Sequence, residues 1–230
     1  MTVTHSKQSR NFFLVLCYQQ MIISSNWLAL KATGQLKKSE TKSYGQAHSA
    51  KKKCSSEKDS NSRFVALDCE MVEGTSVEHM LARVSIVDYE GRPVYDVFVR
   101  PRQKVVDYRT SITGLTKEIL SRKGEAFKLV RAKVLEILKD KIVIGHAVHH
   151  DFEALEIDQP GDEFIRDTCL YPGLRPPNRK QTPSLRLLAE YWLDKQVQTG
   201  SHSSVEDART CMILFKRFQS DWEKALVNRK

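Results

Sequence analysis

In "RFVALDCEMVEG", residues 63–74, an apolar run 64–67 leads directly into Asp68, Cys69 and Glu70. Side chains alternate along a strand, so Asp68 and Glu70 project from the same face. Two carboxylates that close repel, and at least one tends to keep a proton. A divalent cation removes the conflict by favouring ionisation of both. The pair also reads as two solvated acids at a strand end, so other residues must decide.

Two further blocks carry acids at element boundaries. "IGHAVHHDFEAL" places Asp151 just past the apolar stretch 141–147, and "HSSVEDA" places Asp207 five residues after His202. In open α/β sheets ligands gather where strands end and helices begin. Taken singly, Asp151 also suits a helix cap, and Asp207 suits a first helical turn that welcomes negative charge. Together, four acids from three segments and one His make the inventory of a two-magnesium site. Magnesium takes oxygen ligands, keeps several waters and uses few carboxylates. Two such ions about 3.5–4 Å apart stabilise attacking and leaving oxygens in a displacement at phosphorus. A His with an ordinary pKa near 6.5 can accept the proton of the attacking water.

The elements that must hold these residues can be read from patterning. "FVALDCEM", residues 64–71, reads as a first strand. "LARVSIVDY" (81–89) and "VYDVFVR" (94–100) flank the turn signal "EGRP" and predict a hairpin. Residues 115–120 and 126–138 have helical spacing, with Phe127, Val130, Val134, Ile137 and Leu138 on one stripe. "KIVIGHA" (141–147) has the wholly apolar pattern of a central strand. "FIRDT" offers another strand, and 183–193 a helix with Pro183 near its start. The last helix begins near Ser203, whose spacing to Glu206 fits a capping box. Ala208, Cys211, Met212, Phe215 and Trp222 supply its apolar face. Three strands followed by strands alternating with helices give a mixed sheet flanked by helices, the α/β class.

The 230 residues, 40% hydrophobic and 28% charged, suffice for one ordinary domain with some chain to spare. Net charge is +9, of which residues 1–62 carry +7 and residues 63–230 only +2. The first segment reads as a basic, Ser- and Lys-rich extension and linker with too few apolar residues to order itself, and the domain as 63–230. Its charge points to an anionic partner or to a soluble tail, and "KKK" at 51–53 to a phosphate contact, a nuclear address or a solvated run. Five cysteines, an odd number without a C-x-x-C pair, argue against a disulfide framework and a thiolate zinc site, and for a reducing compartment. The apolar run 12–18 is too short for a membrane span, and no cleavage site follows it closely, so it is read as neither signal nor anchor.

The blocks "ALDCEMVEG", "GHAVHHDFEAL" and "HSSVEDARTCM" resemble the three motifs of the DEDDh 3′→5′ exonuclease superfamily. "LARVSIVDYEGRPVYDVFVRP", "VVDYRTSITGLT", "IRDT" and "PSLRLLAEYWL" are similar to its RNA exonuclease 4 branch, related to the interferon-induced exonucleases. The likeness covers roughly residues 63–225. A tyrosine-type relative would carry Tyr four residues before the last Asp; Ser203 stands there, and His202 occupies the histidine-type position. The resemblance implies a ribonuclease H-like mixed five-stranded sheet flanked by helices. It implies that Asp68, Glu70, Asp151 and Asp207 hold two divalent ions, Mg²⁺ with Mn²⁺ as the alternative. Asp68, Glu70 and Asp207 would bind directly, Asp151 partly through water, and His202 would be the general base. The expected activity is release of nucleoside 5′-monophosphates from single-stranded RNA 3′ ends by a monomer, in the nucleus and nucleolus, in ribosomal RNA processing. Trimming of DNA ends and silent nucleic-acid binding are the alternatives; none of the five site residues is lost.

By the same resemblance, Met71, Arg109, Gly114 and Leu115 approach the terminal nucleotide. Strand alternation puts Met71 on the wrong face unless the strand bends after Glu70. Arg109 either reads a 2′-hydroxyl or serves as a surface ion-pair partner. The basic, proline-rich loop 172–183 guides the strand or merely connects elements. Glu73 and "EGTSVEHM" depart from the glycine-rich loop of relatives, which leaves the mouth of the site undefined. "ISSNWLAL" (23–30) is similar to the extreme N-terminus of the same branch, which suggests Met21 as the natural start. N-terminal sequencing of the native protein tests this, since abundant peptides from 1–20 would rule it out.

Overall fold

The computed structural model describes residues 61–177, 179 and 181–228. The basic extension, the apolar run and the Met21 start lie almost wholly outside these residues.

β1 (Phe64–Gly74) is the spine. Phe64, Val65, Ala66 and Leu67 are all buried, as expected of a strand covered on both faces. On one side β1 pairs antiparallel with β2 (Met80–Asp88), which pairs antiparallel with β3 (Pro93–Phe98). Gly91 at φ 80 makes the tight turn of this hairpin. On the other side β1 runs parallel to β5 (Ile142–Gly145), which runs parallel to β6 (Ile165–Asp167). The order is therefore β3-β2-β1-β5-β6. A three-residue strand, β4 (Val105–Asp107), pairs with the end of β1 and makes the mixed sheet six-stranded where the sequence predicts five. At three residues β4 is too short to show a period.

Helices cover the sheet. α1 (Thr110–Thr113) is a single turn, with Arg109 at φ 48 before it and Gly114 at φ 67 after it. α2 (Lys117–Lys123) is capped by Thr116, which accepts from the Ile119 N–H at 3.3 Å, so the helix starts two residues later than its pattern suggests. α3 (Phe127–Leu138) buries Phe127, Val130 and Val134 on the main core, with Ile137 and Leu138 packed beside them. α4 (His149–Leu155) follows β5. α5 (Leu185–Leu193) is capped by the Ser184 hydroxyl rather than opened by Pro183. α6 (Ser204–Val227) packs on β1, β2 and β5 through Ala208, Cys211, Met212 and Phe215. Ser203 is its N-cap residue, but the Ser203 side chain makes no cap bond, so the expected capping box does not form. Glu206 turns instead to Lys195, at 3.1 Å. Among the described residues no helix is long and apolar enough to cross a membrane.

Register explains where the acids end up. β1 pairs with β5 only through Phe64, Val65 and Ala66. From Asp68 onward β1 overshoots its parallel neighbour. The chain leaving β5 turns sharply into α4 across that gap. Gly145 makes the turn feasible: a Cβ there would lie 2.8 Å from the Val148 side chain and 3.2 Å from the Leu67 carbonyl.

Candidate active site

Four carboxylates from β1, α4 and α6 converge at the overshoot. Asp68 and Glu70 share the β1 face opposite Ser85 and Arg83 of β2. Asp151 sits in the first turn of α4 and Asp207 in the first turn of α6. Glu70, Asp151 and Asp207 are buried, each no more than 6% exposed. Burial pushes the Asp68 carboxyl well above the usual carboxylate range, and the charges of Asp151, Asp207 and Glu70 push it further, against Arg83. Burial, then Asp207, raise Glu70 to about 7, against Arg83 and the Ser204 N–H. Burial raises Asp151 to about 8, although the Cys69 thiol and N–H donate to it. Burial also raises Asp207, opposed by Gln198 and His202.

Neighbours that sequence reasoning missed hold these acids in place. Gln198 Nε2 donates to Asp207 Oδ2 at 2.9 Å. Asp167, at the end of β6, accepts from the Ala147 and Cys169 N–H groups at 2.9 Å and from Val148 N–H at 3.1 Å. It thereby fixes the β5–α4 turn and the start of the helix that carries Asp151. The Ser85 and Ser204 hydroxyls meet at 2.6 Å and pin the start of α6 to β2. "IRDT" marks Asp167 in the sequence, but nothing in the spacing distinguishes Gln198, Ser85 or Ser204.

His202 precedes α6 and is partly exposed, with Nδ1 3.8 Å from Asp207 Oδ2. Its backbone N–H donates to the Ile112 carbonyl of α1. Gly114 lies on the same contact: a Cβ there would come within 3.2 Å of Ser201 Cβ. The 110–114 turn and the His202 segment are thus one packed unit. Arg109 pairs with Glu73 at 3.7 Å and reaches the His79 ring at 3.3 Å. The register slips between Glu70 and Met71, yet the half-buried Met71 side chain packs on the main core with Leu67 and Cys69, the face that strand alternation gives it. Leu115 is 2% exposed in a smaller cluster with Val72, Met80 and Leu120, so its side chain belongs to the core.

The donor set suits a hard cation. Glu70 Oε1 is buried without a hydrogen-bond partner, an arrangement that costs free energy unless something positive meets it. Asp151, Asp207 and Glu70 raise Asp68, and Asp207 raises Glu70, a conflict that positive charge resolves. Among the described residues no three His, Cys, Asp or Glu side chains are grouped so as to hold a metal ion by themselves. Magnesium, which keeps most of its waters, does not require such a group.

A family of exonucleases matches residues 65–215. The chain belongs to that family. Over 167 residues it is 46% identical to RNA exonuclease 4 of Xenopus tropicalis, covering 71% of this chain and 40% of that protein. It is 42% identical to human RNA exonuclease 4 over 170 residues, covering 73% and 40%. The chain thus spans well under half the length of these two relatives. Among solved structures, the pseudoubiquitin hydrolase–RNA exonuclease module of Saccharomyces cerevisiae Pan2 in complex with AAGGAA RNA superposes with a TM-score of 0.61 at 30% identity. That match covers 71% of this chain and 30% of the Pan2 chain. Exonuclease folds of this kind use divalent metals.

Proposed function

We propose that the protein is a 3′→5′ exoribonuclease that removes nucleoside 5′-monophosphates from single-stranded RNA ends. The observation that carries the reading is the convergence of Asp68, Glu70, Asp151 and Asp207, with the buried Glu70 Oε1 unpaired. RNA in place of DNA is supported by the two relatives named for RNA. Asp68, Glu70 and Asp207 would hold the ions directly, Asp151 partly through water, with Mg²⁺ as the first candidate. When bound, the ions supply positive charge at the scissile phosphate and neutralise the carboxylates.

The chain's own residues do the rest. His202 turns Nδ1 toward Asp207, which leaves Nε2 to take a proton from the attacking water. Asp207 stabilises the resulting imidazolium. The water oxygen bonds to phosphorus and the bond to the 3′ oxygen of the preceding nucleotide breaks. That oxygen leaves, takes a proton from solvent and becomes the new 3′ hydroxyl; His202 returns its proton to solvent, and the released product is a 5′-monophosphate. Positioning and charge carry most of the acceleration. The protein acts as a monomer, in the nucleus and nucleolus, on ribosomal RNA precursors; the basic first segment and the cysteine usage are consistent with that setting.

The test incubates end-labelled single-stranded RNA and DNA with the protein, with Mg²⁺ or with chelator. Mononucleotides should appear only with metal, and faster from RNA. Asp207→Ala should lower the rate on the order of 10³-fold or more while the fold survives. Hydrolysis retained by a clean Asp207→Ala preparation, or release of oligonucleotides, would overturn the reading. Faster release from DNA would move the substrate class and keep the site.

A further inference from the structure

Beside the carboxylates lies a second cluster, drawn from three separate segments. His79 comes from the β1–β2 loop, His149 and His150 from the start of α4, and Arg109 from the residue before α1. The His149 and His150 ring centroids are 3.9 Å apart, and those of His79 and His150 6.0 Å. Arg109 Nη1 lies 3.3 Å from His79 Nδ1. The rings are open to solvent, His79 at 46% and His150 at 54% of their side chains. They therefore sit at the rim, whereas the carboxylates sit on the buried floor.

Three carboxylates and one guanidinium surround the rings. Glu73 faces Arg109 at 3.7 Å, Glu78 faces His79 at 4.0 Å and Glu153 faces His150 at 3.5 Å. An anionic phosphate gains little from such a surface. What it offers is ring faces and a guanidinium plane, the groups on which unstacked nucleobases pile.

We propose that His79, His149 and His150, extended by Arg109, form a stacking platform for bases of the single-stranded RNA just upstream of the scissile phosphate. The proposal rests on the nuclease reading for the direction of the strand, but its binding chemistry can be tested separately. The platform holds bases without choosing among them, because every base has a π-face.

The experiment measures fluorescence anisotropy of a labelled RNA oligomer with the full chain in chelator. A matched oligomer carries a base only on its 3′-terminal nucleotide and is abasic elsewhere. His79→Ala combined with His150→Ala should weaken binding of the intact oligomer about tenfold. The preference of the wild type for intact over abasic RNA should shrink by the same factor. His79→Phe with His150→Phe should restore that preference, and the salt dependence should be the same in all three proteins. Equal affinity of wild type and Ala variant for intact RNA would overturn the platform. So would an equal loss on the abasic oligomer, or rescue by His→Lys and not by His→Phe. A wild type that binds in this pattern but hydrolyses nothing would sink the nuclease reading and leave the platform standing.

Discussion

Asp207 Oδ2 has two claimants, the Gln198 amide at 2.9 Å and the His202 ring at 3.8 Å. The amide orients an oxygen that the proposed chemistry needs, so Gln198→Ala should act on metal use before it acts on folding. The expected result is a rise of roughly tenfold in the Mg²⁺ concentration for half-maximal activity, as when partners of metal ligands are removed. A titration of rate against Mg²⁺ reads it. The carboxyls also make a pH prediction. Glu70 is raised from 4.5 to about 7 and Asp151 from 3.8 to about 8 in the fold. Between the ordinary and raised values the native state holds protons that the unfolded chain has released, so stability falls as pH rises. In chelator, the melting temperature should drop by several degrees between about pH 4 and pH 8, and saturating Mg²⁺ should flatten the slope. Calorimetry across that range checks both. At this scale the convergence of Asp68, Glu70, Asp151 and Asp207 is legible, because acids at element ends stand out against apolar patterning; His202 is legible only through its spacing to Asp207. Gln198 is not, because a loop glutamine has no period, and only the fold shows which carboxylate it reaches.

The turn between β5 and α4 decides where Asp151 points. Gly145 leaves no room for a side chain, and Asp167 ties up three N–H groups of the surrounding chain. Gly145→Ala should therefore destabilise the protein by ~1–3 kcal/mol, the usual cost of overpacking. Because strain there moves Asp151, activity should fall more than the loss of folded protein explains. Denaturant unfolding combined with kcat on RNA separates the two effects. The strands of the sheet and α3 were readable because β-branched alternation and a 3.6-residue stripe persist over many residues. β4 and α1 were hidden because three or four residues cannot display a period. α6 starts after Ser203 as its spacing predicts, but the capping bond is missing; the hydroxyl that is used belongs to Ser204 and meets Ser85 across the sheet. Long-range pairing of that kind overrides a local capping pattern.

Across the whole molecule, charge and chemistry are separated along the chain. Residues 63–230 are nearly neutral at +2, while residues 1–62 carry +7. A nuclease domain so close to neutrality draws little of its hold on RNA from net charge, so the first segment should set the salt dependence. Replacing Lys51, Lys52 and Lys53 with Gln should leave turnover at saturating RNA unchanged. It should flatten the plot of log KM against log salt by up to about 2, since each phosphate contact on a single strand contributes ~0.7. An unaltered slope would mean that the lysines are only solvated. The hydrogen bond from the His202 backbone to Ile112 has a further consequence at this scale. The proposed general base and the turn expected beside the terminal sugar are rigged to one line. A small molecule wedged under that turn would drag the imidazole off the water it must deprotonate, and so silence the enzyme without displacing a cation.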